Sequence, residues 1–245
     1  MVTTLYLIRH GATEGSETKR YKGSIDVPMS EKGIEQIKKT SAFIFDTETR
    51  RHGDTKKITF PDSPIDRFTD SGIMAVYCSP LSRALKSAEI IAEPHGLKPI
   101  VIEDLRERSF GIWEGMTFTE IKERYPQEFE AWAENPLRYS PIDGESTIEV
   151  RERAVSALNK IIDNHSCNRI QDKKNHESCI MNLASSSSIA VVAHGGVNRI
   201  ILCHIMGIPL ENIFRIEQDF AAVNIIEFWE KYPVVKLLNG GIELK

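Results

Sequence analysis

Two apolar segments far apart in the chain end in the same way, on a histidine followed by glycine. Residues 5–8 lead into Arg9-His10-Gly11, and residues 189–193 lead into His194-Gly195-Gly196. A short apolar run of this kind is typical of a strand buried in a parallel sheet. Because ligands in open α/β sheets bind beyond the carboxyl ends of the strands, we expect both histidines at one edge of the sheet.

The remaining hydrophobic pattern alternates strands with amphipathic helices. Further strands are predicted near residues 73–78, 99–103, 222–229 and 234–239. Helices are predicted over 31–45, directly after an N-cap at Ser79-Pro80, after the capping boxes opened by Thr117 and Ser146, and from His194 to a stop at Gly207. This alternation predicts an α/β fold, a three-layer sandwich with a mostly parallel central sheet flanked by helices. The strand order is left open.

Two polar segments interrupt this rhythm. Residues 46–71 are rich in turn formers, and residues 163–188 end in a run of four serines. We interpret both as surface insertions between core elements, within a single domain spanning residues 1–245.

The bulk composition excludes several classes of function. The formal net charge of -4 argues against a general nucleic-acid binder, which usually carries an excess of basic residues. The sequence has neither a secretory leader nor an apolar stretch of about 18 residues that could span a membrane. We therefore expect a cytoplasmic protein with no nucleic-acid or membrane partner. The oligomeric state stays open, a homodimer included.

The polar residues at the strand ends are suited to a phosphate ester. Arg9, Arg83 and the two histidines, His10 and His194, would form a compact cationic site if the fold brings them together. Guanidinium groups bind phosphate oxygens as planar forks, and a neutral imidazole is a nucleophile. Backbone amides at the following helix starts would add hydrogen bonds to an anion. A small-molecule phosphate ester is the expected partner.

Ordered motifs surround these strand ends. They are Leu7-Ile8-Arg9-His10-Gly11, Arg20-Tyr21-Lys22-Gly23 with residues 26–33, Ser79-Pro80-Leu81-Ser82-Arg83-Ala84, Leu105-Arg106-Glu107 with residues 110–115, Gly144-Glu145-Ser146, and Val192-Ala193-His194-Gly195-Gly196. In kind and order this series resembles the motifs of the histidine phosphatase superfamily, which includes the cofactor-dependent phosphoglycerate mutases. The resemblance covers roughly residues 4–229, apart from the two insertions.

The resemblance implies a role for each matching residue. His10 would be the nucleophile that forms a phosphohistidine, with a backbone carbonyl as the expected acceptor for its other ring nitrogen. Arg9, Arg83 and His194 would hold the phosphoryl oxygens. Glu107 would protonate the leaving alcohol and then act as base for the attacking water. The scheme requires no metal and no cofactor.

A second group of residues would contact the substrate. The phosphate loop and its extension supply most of them, which are Thr13, Ser16, Arg20, Gly23 and Gly195. Ser16 stands where many members of the superfamily have an asparagine, and Ala12 replaces a common glutamate. Neither change removes an essential charge, so we expect activity with altered substrate placement.

Several alternatives are left open by the sequence. The absence of a long insertion after the acid segment favours a phosphatase over a phosphoglycerate mutase, and a non-catalytic module that binds phosphoryl ligands is a third reading. Residues 21–28 resemble the corresponding stretch of α-ribazole-5'-phosphate phosphatases. Phe110, Trp113 and Phe118 either belong to the core or wall the substrate pocket.

A separate cluster within the second insertion consists of residue types that bind zinc, namely His165, Cys167, His176 and Cys179. Their spacing fits no standard zinc signature, and we interpret the cluster as part of a surface loop. A metal-dependent phosphohydrolase would need a different set of ligands at the strand ends.

Overall fold

The computed structural model describes residues 2–18, 20–53, 72–171, 187–229 and 232–241. Its strands are β1 Thr3–Arg9, β2 Ile73–Cys78, β3 Ile100–Val101, β4 Ser187–Ala193, β5 Val223–Phe228 and β6 Pro233–Gly240. Its helices are α1 Glu31–Gly53, α2 Ser82–Ala92, α3 Phe118–Arg124, α4 Pro126–Glu134, α5 Thr147–Gln171 and α6 Gly195–Met206.

The six strands form one sheet in the order β3-β2-β4-β1-β5-β6. The pairs β2–β3, β2–β4 and β1–β4 are parallel, whereas β5 is antiparallel to both of its neighbours, β1 and β6. The predicted α/β architecture with a mostly parallel sheet is confirmed. In the central pair Arg9 lies opposite Ala193, so β1 and β4 end side by side.

Alternate residues of the central strands supply two separate hydrophobic cores. Leu5 and Leu7 of β1 face α5 and α6, together with Val191 of β4. Tyr6 and Ile8 face the opposite side, toward α1 and α2. Both faces of β1 and β4 are therefore covered by helices, which explains why these strands read as continuous apolar runs. Burying each such aliphatic side chain contributes about 1.5–3 kcal/mol.

The predicted helix caps at three positions are confirmed. Thr117 Oγ1 accepts from the amide of Glu120, whose carboxylate accepts from the Thr117 amide, so α3 begins with a complete capping box. Ser146 forms the same reciprocal pair with Glu149 ahead of α5. Helix α6 ends at Gly207, whose φ of 66° places it in the left-handed region.

Two predicted boundaries are wrong. Helix α2 begins at Ser82 with Leu81 as its N-cap residue; the hydroxyl of Ser79 instead lies 2.7 Å from His194 Nε2 and accepts from the Leu81 amide. Strand β3 contains two residues, because residues 103–105 turn into a 3₁₀ helix directly after it.

Regular helices and strands extend into both segments that the composition predicts as insertions. Helix α1 continues to Gly53, and within it Glu48 is buried and accepts a hydrogen bond from the Tyr6 hydroxyl of the sheet. Helix α5 continues to Gln171, and β4 already includes Ser187. Residues 54–71 and 172–186 lie outside the described residues, so the insertions there stay predictions.

Only part of the zinc-type cluster lies within the described residues. His165 lies in α5, where its Nε2 is 3.0 Å from the Tyr77 hydroxyl. His176, Cys179 and the side chain of Cys167 lie outside the described residues. Within the described ranges, no group of three or more His, Cys, Asp or Glu side chains is placed to hold a metal ion. None of the described helices is both long and apolar enough to cross a membrane.

The loop after His10 packs against the start of α1 by direct backbone contact. A Cβ built on Gly33 would overlap the carbonyl oxygen of Ala12, and one on Gly11 would overlap the carbonyl oxygen of Gly33. Glycine is therefore needed at both positions for the loop to reach its place beside the sheet.

We expect Gly33→Ala to lower the free energy of unfolding by about 1–3 kcal/mol, because the added methyl group has no space. A decrease in stability would identify the packing effect, since alanine in a helix normally stabilises a protein by about 0.5–1 kcal/mol relative to glycine. Urea unfolding measures the change. Gly241→Ala is the control because nothing lies within 4 Å of its Cβ position; equal stability of the two variants would contradict the packing argument.

Candidate active site

The two histidines predicted to meet do so at the carboxyl ends of β1 and β4. The His10 amide donates to the carbonyl of Ala193 at 3.1 Å, which continues the parallel pairing by one residue. The two imidazole rings lie edge to face, with their centroids 5.1 Å apart. His10 is 5% exposed and His194 is fully buried.

The orientation of the His10 ring is set by the backbone. Its Nδ1 lies 2.7 Å from the carbonyl oxygen of Gly11. A carbonyl only accepts, so Nδ1 carries the proton and Nε2 keeps its lone pair. The expected backbone acceptor is thus present. Burial lowers the pKa of His10 well below 6.5, and the charges of Arg9 and Arg83 lower it further.

His194 is held from the neighbouring strand. Its Nε2 bonds the hydroxyl of Ser79, at the end of β2, while its Nδ1 is buried with no hydrogen-bond partner among the described residues. Burial is the main reason that the pKa of His194 lies well below 6.5, and the positive charges of Arg83 and Arg9 lower it further. A buried ring nitrogen without a partner is a site at which a ligand oxygen gains a hydrogen bond.

Arg9 is fixed on two sides. Its Nη1 donates to the carbonyl of Gln218 at 2.5 Å, and its guanidinium carbon lies 3.8 Å from the centroid of the Phe220 ring. The Nε is buried without a partner in the described part of the chain. Burial lowers the pKa of Arg9 to about 10, which still leaves it charged at neutral pH.

Arg83 is 2% exposed, lines the candidate site and also binds the loop that contains Gly23 and Ile25. Its Nη1 and Nη2 donate to the carbonyls of Ile25 and Gly23, at 2.7 and 2.8 Å. Guanidinium has five N–H bonds, so these two contacts leave further donors for an anion. Two guanidinium groups, of the half-buried Arg9 and the buried Arg83, lie beside a neutral imidazole and concentrate positive charge where a phosphate would bind.

Glu107 is held at the N-terminus of α6. One carboxylate oxygen accepts from the amide of Gly196 at 3.2 Å and the other from the amide of Arg108 at 3.0 Å. A Cβ on Gly196 would lie 2.7 Å from Oε1 of Glu107, so a larger residue there would displace the carboxylate from this position. The positive end of the α6 dipole stabilises the Glu107 carboxylate beside the carboxyl end of β4.

These groups surround a cavity of about 380 Å³. Eight of the ten predicted site residues line it, namely Arg9, His10, Thr13, Ser16, Arg20, Gly23, Arg83 and Glu107. Of the other two, His194 packs against the ring of His10, and Gly195 lines a second cavity of about 590 Å³ that adjoins the first. The predicted residues therefore lie in one place.

The chain belongs to the histidine phosphatase superfamily. The family model for its branch 1 matches residues 5–52, 64–171 and 174–240, which is most of the sequence. The residues passed over, 53–63 and 172–173, fall within the two predicted insertions.

Relatives within the superfamily carry the names of several phosphatases. Phosphoserine phosphatase 1 of Hydrogenobacter thermophilus is 27% identical over 96% of this chain and 91% of its own length. The adenosylcobalamin/alpha-ribazole phosphatase of Salmonella typhimurium is 24% identical, and the alignment covers 96% of each chain. The crystal structure of the alpha-ribazole phosphatase from Shigella flexneri aligns with a TM-score of 0.73 at 21% identity, over 99% of this chain and 100% of that one.

The side chain of Arg20 is paired within the protein, whereas its motif implies a contact with the substrate. Its guanidinium is paired with Glu120, at 2.7 Å, and with the carbonyl of Gly115. The Arg20 side chain therefore joins the rim of the cavity to the first turn of α3. Lys22 lines the same cavity and donates to Thr13 Oγ1 at 2.8 Å.

Lys22 and Phe220 are site residues that the sequence reasoning did not select. Lys22 lies inside a quoted motif, so its charge between Tyr21 and Gly23 was a usable signal. Phe220 has no such signal, because its place beneath Arg9 depends on how the loop before β5 packs.

The imidazole of His10 is expected to remain neutral, with its proton on Nδ1, as the pH is lowered through 6.5. The reason is its lowered pKa: the unfolded chain takes up a proton near pH 6.5 and the folded protein does not. Burial of His10 therefore leaves the stability unchanged well above pH 6.5 and lowers it as the pH falls below 6.5. Long-range ¹H–¹⁵N spectra of the histidine rings, assigned with His10→Ala, measure it. A midpoint at or above 6.5 would contradict the argument.

Proposed function

We propose that this protein hydrolyses phosphomonoesters through a phosphohistidine on His10. The observation that carries the proposal is the state of His10, a neutral imidazole whose Nδ1–H is used by the Gly11 carbonyl and whose Nε2 is free to attack. Two arginines, the half-buried Arg9 and the buried Arg83, act on the same ring and are placed to bind phosphoryl oxygens.

The reaction has two steps. First, the Nε2 lone pair attacks phosphorus, the bond from phosphorus to the ester oxygen breaks, and protonated Glu107 gives its proton to the departing alkoxide. Second, the Glu107 carboxylate takes a proton from water as the water oxygen attacks phosphorus, and the N–P bond breaks. Inorganic phosphate leaves and His10 is again neutral. Dividing one displacement into two in this way is the general advantage of covalent catalysis.

We propose that no metal or cofactor takes part. In this scheme Arg9, Arg83 and the amides at the start of α6 offset the charge that develops on the phosphoryl oxygens. Such fixed donors can supply the stabilisation that a cation provides in other phosphatases.

His10→Ala is expected to abolish the phosphoenzyme and to lower kcat/KM by at least about 10³-fold, because the covalent route is lost. Turnover is measured on a panel of phosphate esters, and the phosphoenzyme by intact-protein mass spectrometry after a rapid alkaline quench. His204→Ala is the matched control, since His204 is exposed on the far part of α6.

Four outcomes would contradict this proposal. Comparable turnover by His10→Ala would exclude the nucleophile, and loss of activity in EDTA would point to a metal. Phosphoryl transfer to a phosphoglycerate in preference to water would identify a mutase, whereas binding without turnover would identify a non-catalytic phosphoryl-binding module.

The second cavity supports a proposal about the leaving alcohol. Its volume, about 590 Å³, lies in the roughly 300–1,000 Å³ range of small-molecule sites. Arg9, Tyr21, Glu107 and Phe110 line both cavities. Because Glu107 protonates the leaving oxygen, whatever is attached to that oxygen extends from Glu107 into the second cavity.

The walls of the second cavity are mostly apolar. Phe118, Phe129 and Trp132 form a set of mutual ring contacts with centroids 5.0–6.3 Å apart. Trp113 lines the same cavity although it is only 4% exposed, so it belongs to both the core and the pocket wall. Aromatic walls of this kind favour a planar, largely apolar group over a small zwitterion such as phosphoserine.

We therefore propose a small phosphorylated metabolite with an aromatic group as substrate, with α-ribazole 5'-phosphate as the specific candidate. Two relatives quoted above carry the name of alpha-ribazole phosphatase, and the aromatic base of this ester would occupy the second cavity. The phosphoserine phosphatase relative makes phosphoserine the natural competitor.

The expected kcat/KM is at least about tenfold higher for α-ribazole 5'-phosphate than for O-phosphoserine. Leu137→Trp, which adds volume to the half-buried wall of the second cavity, should lower the first value by about tenfold or more and leave the second nearly unchanged. Steady-state phosphate release measures both. Equal values for the two esters in the wild-type protein would overturn the substrate proposal without affecting the proposed chemistry.

A further inference from the structure

The segment that carries Glu107 has little regular structure of its own. After the 3₁₀ helix at residues 103–105, residues 106–110 belong to no helix or strand. Carbonyl groups in such a segment need partners from elsewhere in the fold. The position of the Glu107 carboxylate therefore depends on the groups that hold this backbone.

Arg153, on α5, supplies these partners. Its Nη1 donates to the carbonyls of Asp104 and Arg106 at 2.8 and 2.7 Å, and its Nη2 donates to the carbonyl of Glu107 itself at 3.2 Å. The Arg153 side chain is 11% exposed. One guanidinium thus holds the backbone from Asp104 to the proposed acid itself.

Glu145 completes the arrangement. Its Oε1 accepts from Arg153 Nε at 2.8 Å, and its Oε2 accepts from Arg153 Nη2 at 2.9 Å and from the Ser109 amide at 3.0 Å. Burial alone would raise the pKa of Glu145, but the hydrogen bonds from Arg153 and Ser109 outweigh burial and lower it. The carboxylate is therefore charged at neutral pH and forms a bidentate pair with Arg153.

We propose that Arg153 and Glu145 are positioning residues that hold Glu107 in place as the proton donor to the leaving group. Neither residue is among those lining either cavity, so neither contacts the substrate directly. The inference rests on the proposed function, in which Glu107 is the general acid. A planar fork is required here, because the ammonium of lysine cannot reach three carbonyls and a carboxylate with fixed geometry.

A positioning role predicts a dependence on the leaving group. An alkyl ester such as phenethyl phosphate needs a proton as its alkoxide departs, whereas 2,4-dinitrophenyl phosphate releases a stable phenolate without one. Misplacing Glu107 should therefore slow the first ester and spare the second. The measured quantity is kcat/KM, which excludes the later hydrolysis of the phosphoenzyme, where Glu107 acts as base.

Arg153→Lys and Glu145→Gln are each expected to lower kcat/KM for phenethyl phosphate by about 10- to 100-fold, and for 2,4-dinitrophenyl phosphate by less than about threefold. Glu107→Gln sets the benchmark, with the same selectivity at larger amplitude. Arg151→Lys, an exposed arginine on the same helix, is the matched control and should change neither value. The ratio of the two values from one preparation does not depend on the folded fraction.

The outcomes separate the two proposals. Equal losses on both esters, or no loss on either, in Arg153→Lys and Glu145→Gln would overturn the positioning role while Glu107→Gln still shows selectivity. If Glu107→Gln itself shows no selectivity, the proposed acid is wrong and the positioning role fails with it. Partial recovery of Arg153→Ala by added guanidinium ion, on the alkyl ester alone, is a further expected result.

Discussion

The parallel pairing of β1 with β4 is the constraint on which the site depends. Its register places Arg9 opposite Ala193, and the hydrogen bond from His10 to Ala193 continues the pairing past the last strand residue. A slip by one residue would turn every side chain of β1 to the other face and move Leu5 and Leu7 out of their core. The hydrophobic cores on both faces therefore fix the position of His10.

Electrostatics at the site follow from this placement. The fold places two guanidinium groups close to two buried imidazoles, and burial together with the arginine charges lowers the pKa of both histidines, so both imidazoles are neutral. Arg9 and Arg83 keep their charge, because each donates to backbone carbonyls and packs within the protein. The result is a cationic pocket around a neutral imidazole, a combination suited to the proposed attack on a phosphate ester.

Sequence by itself determined much of the molecule. The apolar runs of β1 and β4, the capping boxes of α3 and α5 and the glycine stop at Gly207 were all readable, because each depends on residues a few positions apart. The motif series also selected residues that the fold brings together, since eight of the ten line one cavity.

Tertiary structure decided the rest, since the contacts concerned join residues remote in the chain. Ser79 reads locally as a helix cap, but its hydroxyl bonds His194, 115 positions away. Phe220 lies beneath Arg9, and Arg153 reaches the backbone of Glu107, because loops and helices from different parts of the chain pack at one edge of the sheet. No local pattern encodes such a meeting; the layers of the fold must assemble before these partners exist.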